Sequence, residues 1–167
     1  LNADLNQLGQ WASAGFEGVG VLARDNPGVD IDVLDAEVSQ SMVKFVCDQF
    51  PGGLIRIGKA PKTLLVYSTA TPFKKIRSAT YEDRFGDIHA VEILGDGQQF
   101  IVFAEHPDTH QPYRWPGTDI SIVERANLPL LTCADARAIV AHFESLASDK
   151  VETEGWQKIK DGTSAPD

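Results

Sequence analysis

The order of apolar and polar positions along the chain predicts short strands and helices in alternation. Residues 29–34 place apolar side chains at every second position around two aspartates, which is typical of a strand with one buried face. Similar β-branched segments bounded by Gly, Pro, Asn or Asp predict five more strands. These are predicted over 19–23, 54–57, 64–68, 91–94 and 99–103. The Gly-Asp-Gly of 95–97 predicts that the last two strands form a β-hairpin.

Other segments carry apolar residues at the spacing of an amphipathic helix. The first covers about 5–11 and stops before Gly15. The second begins after Asp35, a residue type that caps helix N-termini well, and ends at the Pro-Gly-Gly of 51–53. The residues predicted on its buried face are Val38, Met42, Phe45 and Val46.

A last helix is predicted to begin at Thr132, because Asp135 follows three residues later as in a capping box. The residues on its predicted core face are Ile139, Phe143 and Leu146. From Ser148 the sequence becomes polar, which favours a frayed end. We therefore expect one domain over 1–147 and a polar tail or linker over 148–167.

Hairpin signals outnumber strand–helix–strand units, so the predicted class is α+β (α/β), with a mixed or mainly antiparallel sheet flanked by helices. The chain has 167 residues, of which 43% are hydrophobic, enough for one good-sized core. It also begins at Leu1 without methionine, and we expect it to be part of a longer polypeptide.

The overall charge and the cysteine content argue against several classes of protein. With 24 acidic against 15 basic residues the net charge is −9, which argues against broad, sequence-independent adhesion to nucleic acid but leaves room for a local basic groove. Cys47 and Cys133 form no Cys-x-x-Cys motif, so neither a disulfide scaffold nor a zinc site is indicated, and a reducing cytoplasm is expected. No apolar run approaches the roughly 20 residues of a membrane helix, and the first residues do not show the charged-then-apolar pattern expected of a secretory leader.

The two aspartates of the alternating strand are the first candidate for chemistry. Asp30 and Asp32 project from the same face, away from Val29, Ile31 and Val33. Two neighbouring carboxylates repel each other unless a cation neutralises them, and hard oxygen ligands suit Mg²⁺ or Mn²⁺. The alternative interpretation is a polar strand face open to water.

A basic segment is the second candidate. No acidic residue lies between Arg56 and Tyr81, a segment that holds six cations: Arg56, Lys59, Lys62, Lys74, Lys75 and Arg77. Basic residues around the Gly/Pro turn of 58–61 suit phosphate oxygens. Alternatively, these cations form a solvated surface that balances nearby acids.

Glu92 and the polar, aromatic turn of 105–115 are the third candidate. Glu92 lies between two apolar strand residues and therefore points away from the core, as the aspartates do. It is either an ordinary exposed glutamate or the third acid of a cluster that holds two divalent ions. In the turn, His106 can meet a phosphate or a base. Tyr113 and Trp115 can stack on a base or pack the turn against the sheet, and packing is the interpretation we favour for Trp115.

Four blocks, taken in order, resemble the bifunctional DNA primase/polymerase domain of the archaeo-eukaryotic primase superfamily, which is common in phages, prophages and plasmids. The blocks read GVDID at 28–32, RIGKAPK at 56–62, VEILGDGQQF at 91–100, and HPDT with PYRW within 106–115. The resemblance implies a primase core whose sheet has RRM-like topology, beside a second α/β unit. The family domain usually begins further upstream, which implies that the N-terminal portion is missing here.

The resemblance also implies a site. The catalytic, metal-binding acids are Asp30, Asp32 and Glu92, with Mg²⁺ or Mn²⁺ as the metal. The nucleotide-binding residues are Arg56, Gly58, Lys59, Lys62 and His106. Many family members carry a histidine after the basic turn, where this chain has Lys62, Thr63 and Leu64, so a cation of the turn takes that role.

The implied function is primer synthesis or DNA extension by two-metal phosphoryl transfer. The implied partners are NTP or dNTP, a DNA template, and a helicase or other replication domain that follows this chain. Two alternatives remain open at this point. One is a catalytically weak nucleic-acid-binding replication module with the same fold, and the other is a metal-dependent nuclease, because Asp-x-Asp alone does not distinguish bond making from bond breaking.

Overall fold

The computed structural model describes residues 5–16 and 18–159, which form a mixed α+β arrangement. The helices are α1 (Leu5–Ser13), α2 (Ala36–Gln49) and α3 (Cys133–Glu154). The strands are β1 (Val19–Leu22), β2 (Gly28–Asp32), β3 (Leu54–Arg56), β4 (Thr63–Val66), β5 (Ile76–Arg77), β6 (Thr80–Glu82), β7 (Ile88–Leu94), β8 (Gln99–Phe103) and β9 (Gln157–Ile159). All six strands predicted from the sequence are present, within a few residues of the predicted bounds.

The main sheet is antiparallel at every pairing. Its strand order is β3-β4-β2-β7-β6-β9, and β5 also pairs with β7. The central pair is β2 with β7, in the register that sets Asp30 opposite Glu92. The predicted α+β class, with a mixed or mainly antiparallel sheet flanked by helices, is therefore confirmed, and the sheet is the antiparallel one of these two alternatives.

The two faces of the main sheet are packed differently. Helices α2 and α3 cover one face and bury the alternating residues of β2 and β7. The buried residues of this core include Val29, Ile31, Val33, Val91, Ile93, Met42, Val46, Ile139 and Phe143. The other face is covered only in part, where β1 and β8 form a separate two-stranded sheet that packs Phe100 and Val102 against Leu64, Val66 and Leu94. The uncovered remainder of this second face carries the acids.

Local signals at the helix ends are confirmed. Asp35 caps α2 and accepts hydrogen bonds from the amides of Glu37 and Val38, both at 3.0 Å. Thr132 and Asp135 form the capping box of α3. No helix in the described part of the chain has both the length and the apolar character needed to cross a membrane.

The predicted hairpin of β7 and β8 is wrong, although both strands exist. β8 pairs with β1 in the small sheet instead. The amide of Asp96 donates to the carbonyl of Phe73 at 2.7 Å, and the amide of Ala23 donates to the carbonyl of Gln98 at 2.9 Å. A Cβ on Gly95 would lie 2.2 Å from the Phe73 carbonyl oxygen, so the backbones approach too closely for any side chain. The turn is thus bonded on both sides to other segments and carries the chain from one sheet to the other.

The prediction of a tail or linker from Ser148 is wrong over 148–159. Helix α3 continues to Glu154 and ends at Gly155, whose φ of 75° is the left-handed conformation that glycine adopts most easily. Strand β9 then pairs with β6. Trp156, which lies between α3 and β9 in the chain, is 3% exposed and stacks on the buried ring of His89, with the ring centroids 4.2 Å apart. The remaining residues of the predicted tail, 160–167, lie outside the described part of the chain.

Candidate functional site

One row of directly paired residues crosses the partly covered face of the main sheet. In spatial order it consists of Arg56, Leu64, Asp30, Glu92 and Arg77. Residues directly opposite each other in an antiparallel pair project from the same face, so this row sets two acids between two cations. Asp32, two residues after Asp30, shares that face. The prediction that Asp30, Asp32 and Glu92 lie on one face is confirmed.

A cleft of about 250 Å³ opens beside this row. Its lining consists of Asp30, Asp32, Arg56, Gly58, Lys59, Lys62, Thr63, Leu64, His106 and Tyr113. Seven of the eight predicted site residues are among them; Glu92 is not. Four separate segments contribute to the lining: β2, the end of β3 with its following turn, the start of β4, and the turn after β8.

Three ion pairs neutralise two of the acids. Lys62 Nζ lies 2.5 Å from Asp32 Oδ1. Glu92 is held by Lys75 at 2.5 Å and by Arg77 at 2.7 Å. Across the described residues, no group of three His, Cys, Asp or Glu side chains is arranged to hold a metal ion. The internal cations therefore occupy the position of counterions to Asp32 and Glu92.

Asp30 differs from its two neighbours. It is partly buried, and no hydrogen bond or ion pair joins its carboxylate to another described residue. Burial, followed by the negative charge of Asp32, raises the pKa of Asp30 to about 6, while Arg56 acts in the opposite direction. Asp30 thus lies partly buried in an open cleft, and the protein compensates the negative charge of its carboxylate poorly.

This raised pKa predicts a pH-dependent stability. Protonated Asp30 favours the folded state, so its contribution is complete below the ordinary pKa of 3.8 and is lost as the pH rises to about 6. The loss amounts to at most about 3 kcal/mol. Asp30→Asn, neutral at every pH, should therefore be more stable than the parent above pH 6 and lose that advantage toward pH 4. Urea unfolding in a metal chelator checks this.

The exposed Asp149 of α3 supplies the control for this experiment. Asp149→Asn changes the same chemical group outside the cleft, so its stability should follow that of the parent across the whole pH range. Parallel curves for Asp30→Asn and the parent would show that the Asp30 charge is well solvated.

One wall of the cleft is closely packed around Gly58. A Cβ at this position would lie 2.4 Å from Tyr113 Cε1 and 2.6 Å from His106 Cδ2, so glycine lets both rings approach the turn. The Arg56 guanidinium lies 4.4 Å from the centroid of the Tyr113 ring and donates to the carbonyl of Ile101. Its Nε is buried and has no hydrogen-bond partner among the described residues. This wall therefore contains a hydrogen-bond donor, the Arg56 guanidinium, which packs against an aromatic ring and makes no ion pair with a carboxylate among the described residues.

His106 is oriented by its own turn. Its Nδ1 accepts the amide hydrogen of Asp108 at 3.1 Å, so the neutral ring carries its proton on Nε2. The Asp108 carboxylate also binds Lys59 at 2.9 Å, which ties the turn after β8 to the basic turn after β3. His106 can therefore offer a donor to a ligand in the cleft.

Sequence reasoning left some functional contacts unassigned. The sequence allows Tyr113 to stack or to pack without assigning it to the site, and the structure places it in the lining of the cleft. Lys75 and Arg77 belong to the predicted basic segment, but the sequence does not predict their pairing with Glu92, because it depends on how β5 and the residue before it lie against β7. Trp115 packs on the sheet and donates from Nε1 to the Val102 carbonyl at 3.1 Å, as favoured from the sequence.

Comparison of this chain with family models, with curated proteins and with solved structures gives no match. Two observations therefore bear on function: the residues and geometry of the cleft, and the four sequence blocks that resemble the primase/polymerase domain. The chemistry on offer is a carboxylate pair beside three cations, one imidazole donor and one aromatic ring.

Proposed function

We propose that this chain is a metal-dependent nucleotidyltransferase domain of the primase/polymerase type, which synthesises or extends DNA primers in phage or plasmid replication. The observation that carries the proposal is the cleft itself, where the carboxylates of Asp30 and Asp32 face the cations Arg56, Lys59 and Lys62. A nucleoside triphosphate needs both halves of such a cleft, because its phosphates bind cations and its transfer needs divalent ions held by acids.

The acids fit hard divalent cations such as Mg²⁺ or Mn²⁺. Asp30 supports this fit because its carboxylate makes no hydrogen bond or ion pair with another described residue and lies beside two further acids on the same face. Asp30, Asp32 and Glu92 would hold the metal, with Lys62, Lys75 and Arg77 as the internal cations that it would replace. When bound, the metal would activate a primer 3′-hydroxyl and stabilise charge around the α-phosphate.

The cationic wall is proposed to hold the triphosphate. Arg56 and Lys59 would neutralise phosphate oxygens, and the lack of a side chain at Gly58 lets the His106 and Tyr113 rings pack against the same turn. The Nε2 hydrogen of His106 adds a donor. Tyr113, which already lies against the Arg56 guanidinium, offers a surface on which a base can stack.

Incorporation of labelled dNTP or NTP tests the function on primed and unprimed single-stranded DNA with Mg²⁺ or Mn²⁺. We expect product longer than the primer, or new primers on the unprimed strand. Shortened DNA would indicate a nuclease instead. DNA that the protein binds without any change in its length would indicate a nucleic-acid-binding replication module.

Lys62→Ala should weaken the binding of a non-hydrolysable dNTP analogue by roughly 10- to 100-fold with Mn²⁺ present, because a partly buried charge-assisted contact is lost. Lys74→Ala is the matched control, since Lys74 is 81% exposed, pairs with Asp96 at 2.7 Å and lies outside the cleft. Its effect should stay below about twofold. Calorimetric titration measures both, and equal losses would indicate a solvated basic surface without a defined phosphate site.

A further inference from the structure

Lys62 and Asp32 form an ion pair inside the cleft, so two of its charged residues bind each other. Both residues line the cleft, and their charged atoms are 2.5 Å apart. The side chains are 29% and 49% exposed, so solvent reaches the pair. Asp32 Oδ1 is nonetheless buried, and apart from the Lys62 ammonium it has no hydrogen-bond partner among the described residues.

The other cations near the cleft are engaged differently. Lys59 lines the cleft, but its partner Asp108 does not. Lys75 and Arg77 hold Glu92 outside the cleft lining. Among the ion pairs of the described residues, Lys62 with Asp32 is the one whose two members both face the cleft. A cation that binds Asp32 Oδ1 and an anion that takes the place of Asp32 on Lys62 would each replace this same contact.

We infer that the Lys62–Asp32 ion pair is shared by the two ligands of the cleft, so that a polyphosphate on Lys62 and a divalent cation on Asp32 bind with positive coupling. The nature of these ligands rests on the proposed function. A ligand that binds alone loses binding free energy because it has to separate Lys62 from Asp32. Once one ligand has separated the pair, the residue that binds the second ligand is already free, so the second ligand binds more tightly.

The first test is the affinity for Mn²⁺ alone, measured from the spin-resonance signal of the free ion. Lys62→Met keeps most of the side-chain volume and removes the competing ammonium, so Mn²⁺ should bind roughly tenfold more tightly than in the parent. Lys59→Met is the matched control, because it removes the same charge from the same cleft but leaves the Asp32 contact intact. Its gain should stay below about threefold.

The second test is reciprocal and uses inorganic triphosphate in the presence of a metal chelator. Asp32→Asn releases Lys62, so triphosphate should bind roughly tenfold more tightly than in the parent. Asp30→Asn removes one negative charge from the same cleft without releasing the lysine and should gain at most about threefold. In the Lys62→Met background, Asp32→Asn should gain no more than Asp30→Asn does.

The outcomes separate this inference from the proposed function. Equal Mn²⁺ gains from Lys62→Met and Lys59→Met, or equal triphosphate gains from the two Asn variants, would overturn the shared ion pair even if the parent extends primers. The parent protein could also fail to extend primers while Lys62→Met and Asp32→Asn still bind their ligands more tightly than the control variants do. That result would support the shared ion pair and overturn the proposed transferase function.

Discussion

Replacing Trp156 with alanine is expected to lower the free energy of unfolding by about 3–5 kcal/mol, the range for truncation of a large buried aromatic. The indole is 3% exposed, stacks on His89 at 4.2 Å and lies 6.4 Å from the ring of Tyr81. Its loss opens a cavity beside a buried imidazole that also accepts the Leu34 amide hydrogen at 3.2 Å. Urea unfolding followed by far-ultraviolet circular dichroism measures the change independently of indole fluorescence.

Trp11 provides the comparison within the same chain. It is 46% exposed on α1, so Trp11→Ala should cost less than about 1 kcal/mol. Comparable losses for the two variants would mean that the segment after α3 does not stabilise the sheet. A large loss for Trp156 alone would establish that the fold depends on residues beyond Ser148.

The polar character of 148–159 explains why the sequence suggested a tail. The last turns of α3 expose charged residues to solvent, and a single aromatic carries the buried contact of the segment after it. Strand β9 is three residues long, and its pairing partner β6 lies more than 70 positions earlier. A short strand whose stability comes from a distant partner leaves almost no periodic signal of its own.

Features fixed by neighbouring residues could be predicted. The alternation in β2 correctly assigned Val29, Ile31 and Val33 to the core and the two aspartates to the other face. The caps at Asp35 and Thr132 were also found, because each cap bonds amides within three residues. The hairpin was not, since the partners of its turn come from segments more than 20 positions away along the chain.

The candidate site shows the same division. The alternation rule placed Glu92 on the face of the aspartates. The resemblance to the primase/polymerase domain implied that the basic turn and His106 belong to one site, and both line the cleft. The sequence did not show which cation pairs with which acid. Those contacts join long, flexible side chains from different strands, so they follow from sheet register and not from spacing along the chain.

The second large effect is expected from Asp32→Asn, which should reduce metal-dependent nucleotide incorporation by at least about 100-fold, since even outer-shell partners of metal ligands are worth 10- to 100-fold. The amide keeps the size of the carboxylate but offers no negative charge to a divalent cation. Under the proposed function DNA binding should be nearly unchanged, because contacts to the phosphate backbone are made by cations and not by a carboxylate. Primer extension and fluorescence anisotropy with labelled DNA measure the two properties separately.

Asp96→Asn is the matched control, because it also breaks an aspartate–lysine ion pair, the 2.7 Å contact of Asp96 with Lys74, but outside the cleft. It should leave incorporation within about twofold of the parent. An Asp32→Asn variant that extends primers as well as the parent would remove the acidic pair from the catalytic centre. A variant that loses activity while binding DNA, and that binds triphosphate more tightly in a chelator, would show that Asp32 serves the cation while Lys62 serves the phosphate.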